Sequence, residues 1–136
     1  MIDRQRVLQE ISVFDYVKMP RQAYAFQGLG TPKPVLLLAA RTNSGKMYTL
    51  QIDLDRFPQE NPKVFVRKML YNIRGEEMSG ASASMHTLTG EHGYTRICHY
   101  GFEAWHPQIT LFKVYVRCRL WLEAYEGHLK TGLPLD

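Results

Sequence analysis

The chain has 136 residues, a mass of 15.8 kDa and a formal net charge of +4, with 45% hydrophobic and 22% charged residues. That length supports one domain with its own core and is too short for two, the composition excludes disordered and fibrous architectures, and no internal repeat is visible. Two cysteines exclude a disulfide framework, and the longest uncharged apolar run, VLLLAA at 35–40, is far too short to span a bilayer.

The amino-terminal segment MIDRQRVLQEISVF carries charges where a secretory leader needs an apolar run, so a reducing, cytoplasmic setting is expected. Asp3 is placed to cap a first helix in which Val7, Leu8, Ile11 and Phe14 recur at helical spacing, ending near Lys18 ahead of Pro20. QAYAFQ at 22–27 suits a short strand, and GLGTPKP after it reads as a loop. VLLLAAR and KMYTLQIDL then flank the turn-rich TNSG as a hairpin. In the second arm Tyr48, Leu50, Ile52 and Leu54 alternate with polar or half-polar neighbours.

RFPQENPKVFV has two prolines that exclude a helix, followed by a strand at Val64 and Val66, which completes an antiparallel four-stranded meander. IRGEEMSGASASM at 73–85 is small and polar, and a mobile loop is expected there. From Ile109 to about Leu129 a long helical pattern puts Leu111, Val114, Cys118, Leu122, Tyr125 and Leu129 on one face, closed by Gly132-Leu133-Pro134. The expected fold class is α+β: an N-terminal helix, the four-stranded meander, an active-site loop and one long C-terminal helix in a single domain, 1–136.

Chemistry concentrates in TRICHYGFEAWHP at 95–107. Thiolate is the nucleophilic form of cysteine and needs nearby cations or a helix N-terminus, and Arg96, His92 and His99 supply such groups in sequence. Cys118, on the apolar stripe of the long helix, reads as a core residue. For Cys98 three roles stay open at this level: nucleophile, metal ligand with His86, His92 and His99, or small buried apolar residue. The metal reading lacks the paired short spacing of zinc sites. RTNSGKM lacks the first glycine and the hydroxyl residue of a phosphate loop, and GLG at 28–30 lacks the third glycine and helix of a dinucleotide site. The pI near 9.1 favours an acidic partner, but the basic residues are scattered, so nucleic acid is not indicated.

FPQENPKV at 57–64 resembles the Tyr-Pro-x-x-Pro-Pro-x-Val element of ubiquitin-conjugating enzymes, with Pro58, Pro62 and Val64 matching, Phe57 for the tyrosine and Asn61 for the first paired proline. Downstream, His86, Gly93, Ile97-Cys98 and Trp105-His-Pro107-Gln-Ile-Thr110 resemble that family's run from its histidine motif through the active cysteine to the next helix. The resemblance covers the chain from the first helix to about Leu122. It implies a ubiquitin-conjugating-enzyme-like fold, truncated to one C-terminal helix where eukaryotic members add two more.

It also implies an acyl transferase in which Cys98 takes the C-terminal acyl group of a ubiquitin-like protein, or of another protein's C-terminal tail, as a thioester and passes it to a target lysine. No cofactor or metal is implied. The family's His-Pro-Asn reads His86-Thr87-Leu88 here, so its asparagine has no counterpart and His86, His92 or a backbone N–H is expected to support the oxyanion, with His99 or Tyr100 shaping the acceptor side. Trp105 and Pro107 are expected to pack, and Arg4, Arg6 and Lys18 to resemble the surface that meets an activating enzyme. The short length resembles bacterial relatives in antiphage (antiviral) defence operons such as CBASS, whose partners are an activating, adenylating enzyme or a cGAS-like nucleotidyltransferase. The alternative is a non-catalytic binding or scaffold module of the same fold.

Overall fold

The computed structural model describes residues 2–135. Helix α1 (Arg4–Tyr16) begins where Asp3 Oδ1 accepts from Gln5 N at 3.0 Å, which satisfies one of the free donors of the first turn. Strands β1 (Tyr24–Gln27), β2 (Val35–Arg41), β3 (Met47–Asp53) and β4 (Val64–Val66) follow as the expected meander. Two further strands, β5 (Thr87–Leu88) and β6 (Thr95–Ile97), precede the closing helix α2 (Leu111–Thr131). The architecture is α+β, with every paired strand antiparallel.

The sheet has six strands rather than four, in the order β1-β2-β3-β4-β6-β5. The two extra strands are two and three residues long, too short to leave an alternation in sequence. The hairpin behaves as its pattern predicts: Leu36, Leu38 and Ala40 of β2 face Ile52, Leu50 and Tyr48 of β3 in register, and all six are buried. Val64, Val66 and Ile97 extend this apolar face, against which α1 sets Val7 and Phe14 and α2 sets Leu111, Val114, Cys118, Leu122 and Tyr125.

Two expected helix faces are rotated. In α1, Leu8 is 54% exposed and the buried positions are Val7, Glu10 and Phe14. Glu10 is inside because it has partners there: Oε1 accepts from Leu111 N at 2.7 Å and Oε2 from Arg6 Nε at 2.7 Å. A buried carboxylate thereby caps the N-terminus of α2, where both the free N–H groups and the helix dipole favour it. In α2 the last turn buries His128 rather than Leu129, which is 37% exposed. His128 Nδ1 donates to Leu133 O at 2.7 Å while Nε2 accepts from Ile73 N at 3.1 Å, so the ring fastens two loops over the helix end.

Segment 73–85, expected to be mobile, is tied down by bridges Tyr71↔Glu77 and Ser82↔Thr87, and Met78 is buried. At the β2–β3 turn, Glu126 of α2 accepts from Thr42 Oγ1, Ser44 Oγ and Tyr48 Oη at 2.8–2.9 Å, which fixes RTNSGKM as the hairpin connection. Among the described residues no helix is long and apolar enough to cross a membrane.

Candidate active site

Cys98 is the first residue past β6. Ile97, fully buried, pairs with Val64 of β4 on one side and Thr87 of β5 on the other. The next rung of that ladder is Cys98 N donating to His86 O at 2.9 Å. The strand therefore carries the cysteine to the sheet's end and leaves it partly exposed. Cys118 contrasts on every count: it is fully buried in α2, and burial pushes its thiol up from the ordinary range. Of the two sulfurs, only Cys98 is placed to meet a second molecule.

The segment after Cys98 is held from two sides. Arg117 Nη1, from α2, donates to His99 O at 3.0 Å, and its guanidinium lies 4.0 Å from the centroid of the Tyr100 ring. Asn61 Nδ2, from the proline element, donates to Tyr100 O at 2.9 Å. Trp105 Nε1 donates to Pro58 O at 2.9 Å, and its ring packs at 5.7 Å from Tyr100 and 6.0 Å from Phe57. Trp105 thus packs as expected. Pro107 is exposed, and Ile109 is the buried residue of that stretch.

The three histidines separate. His86, at φ 51°, contributes its backbone carbonyl, which accepts from Cys98 N and from Trp121 Nε1 at 3.1 Å. His92 sits with Gly93 in the β5–β6 connection, at φ 58° and exposed, with the three residues of β6, about 10 Å of strand, between it and Cys98. The structure therefore does not bring His92 to the cysteine.

His99 is next to Cys98 but removed from the expected cationic set. Burial lowers its pKa from the ordinary 6.5 to about 4, aided by the charges of Arg96 and Arg117 and opposed by a contact to Ile97 O. The imidazole is neutral at pH 7. Its Nε2 is buried without a hydrogen-bond partner, as are Asn61 Oδ1 and Arg96 Nε. Among the described residues, three of the four such atoms thus belong to the strand end and loop around Cys98 or to the side chain pinning that loop.

Asn61 and Arg117 were not singled out as site residues by sequence reasoning. Asn61 had a signal, since it departs from the proline pattern at that position. Arg117 had none, because its partners lie 18 residues away in an unrelated element. Among the described residues no three His, Cys, Asp or Glu side chains converge to hold a metal ion. No protein-family profile, curated protein or solved structure matches the chain.

Proposed function

We propose that the chain is a ubiquitin-conjugating-type acyl transferase with Cys98 as its acyl carrier. The observation that supports this best is the placement of Cys98 at the end of β6, partly exposed, with its own N–H and the next two carbonyls held by His86, Arg117 and Asn61. In the first step the Cys98 thiolate adds to the carbonyl of a donor thioester, a tetrahedral oxyanion forms, and the donor's thiolate leaves. In the second, a lysine amine adds to the new Cys98 thioester and the Cys98 thiolate leaves, while the ammonium proton passes to solvent or base. Cysteine suits both steps because thiolate attacks well and departs well.

A fixed loop aids such chemistry by holding the reacting carbon against preorganised donors. With no asparagine in the His86-Thr87-Leu88 stretch, backbone N–H groups of the pinned loop are the donors this reading assigns. His99, neutral at pH 7, lines the acceptor side as a group that neither repels an incoming ammonium nor competes for its proton. The partners are an activating enzyme or a cGAS-like nucleotidyltransferase, a protein C-terminus as acyl donor and a target lysine, in bacterial antiphage defence.

The test is a thioester trap with activating enzyme, ATP and donor protein. A reductant-sensitive adduct is expected with the wild type and with Cys118→Ala, and none with Cys98→Ala. Wild-type protein that takes no adduct from an enzyme able to charge its own cysteine returns the chain to the scaffold reading.

A further inference from the structure

The end of the sheet opposite Cys98 gathers three cations that the sequence keeps apart. Lys46 closes the β2–β3 turn, while Arg67 and Lys68 follow β4, whose last residue Val66 faces Leu50 of β3 and Thr95 of β6. Lys46 Nζ lies 5.7 Å and Lys68 Nζ 4.9 Å from the centroid of one ring, that of Tyr48. Arg67 lies 5.7 Å from the centroid of Tyr94. An open cleft of ≈ 440 Å³ is lined by Met47, Thr49, Arg67, Lys68 and Tyr94, among others.

This corner holds two ammoniums close enough to influence one another, with no carboxylate among the described residues paired to either. Arg6, Arg21, Lys33, Arg56, Lys63 and Arg119 each pair with a carboxylate. Among the described residues, Lys46, Arg67 and Lys68 form no ion pair. The carboxylate that influences Lys46, Glu126, is already occupied by three hydroxyls. Two ammoniums beside one ring repel each other, and the Lys68 ammonium is held below its ordinary value by burial and by Lys46. An anion seated near both relieves that repulsion, and a phosphate group, with several acceptor oxygens around one centre, can meet both ammoniums at once.

We propose that this cleft binds a phosphate-bearing anion, with Arg67 and Lys68 of its lining as charged contacts and Lys46, beside the same Tyr48 ring as Lys68, reaching in from the turn. Met47 and the Tyr94 ring give it an apolar wall against which the body of a phosphate ester rests. The site stands apart from the acyl-carrier reading, since Cys98 lies beyond the other end of β6. It holds whether or not Cys98 is catalytic.

The full chain is titrated with sodium pyrophosphate, and separately with a short oligothymidylate, while amide resonances are followed at ionic strength fixed with sodium chloride. The expected result is saturable shifts at Met47, Thr49, Arg67 and Lys68, with affinity falling about tenfold in Lys68→Gln and in Lys46→Gln, and unchanged in Cys98→Ala. Circular dichroism of the lysine variants verifies that they fold. Tighter binding of the oligothymidylate assigns the phosphate to a nucleic-acid strand, and equal or weaker binding assigns it to a free phosphate. Shifts that do not saturate with either probe, or affinities that survive both lysine substitutions, overturn the proposal.

Discussion

His99 is held neutral beside the cysteine by its surroundings, and that has a measurable consequence for the whole chain. Its folded pKa is about 4 against an ordinary value of 6.5, so between these limits the unfolded chain binds a proton that the native state does not. Native stability therefore falls as pH drops from 6.5 towards 4, by about 3 kcal/mol at most, and levels off below. Urea unfolding across pH 4–7 is expected to show this slope in the wild type and to lose that share of it in His99→Gln. An unchanged slope in the variant would mean that the imidazole is solvated and free to carry charge at the site. Sequence placed His99 next to Cys98 correctly, but its charge state depends on burial by elements distant in the chain. For the same reason Arg6 could be counted among exposed basic residues, when in fact it turns inward to Glu10 and to Ile109 O at 3.0 Å.

Among the elements, the junction of α1 with α2 is the most specific. Glu10 carries the N-terminus of α2 and the Arg6 guanidinium at once, and Arg6 in turn lies 4.8 Å from the Phe57 ring centroid beside the proline element. Removing that carboxylate in Glu10→Ala leaves a buried N–H and a partly buried cation unpaired, and is expected to cost about 3 kcal/mol in urea unfolding. Glu10→Gln, which keeps an acceptor for Leu111 N, is expected to cost about 1 kcal/mol. A Glu10→Ala protein as stable as the wild type would show that water replaces the cap. No periodicity argument could find this contact, because its partners are 101 residues apart and helical spacing marks apolar positions only. Helical spacing likewise put Leu129 on the apolar face of α2, whereas the loops folding over the helix end give His128 two bonding partners and bury it instead.

For the whole molecule, what was legible was whatever repeats along the chain. The second arm of the hairpin, β3, alternates over seven residues against the apolar run of β2, and α2 keeps its apolar stripe for most of 21 residues. What was not legible is built from pieces too short to have a period: β5 and β6, the ordered turns of 73–85, and the pins on the loop after Cys98. These short pieces form the candidate site. That Cys98 lies in a loop ahead of the long helix could be read from the pattern of α2, whereas the groups that hold that loop could not.

The claim on which the functional account rests is that Cys98 Sγ itself carries the acyl group. Replacing it by an oxygen nucleophile tests this most directly. With activating enzyme, ATP and donor, Cys98→Ser is expected to accumulate an adduct that resists thiol reductant, yields to hydroxylamine and maps by peptide mass spectrometry to residue 98. An adduct that remains reductant-sensitive in this variant, or that maps to Cys118 or to a lysine, would contradict the account.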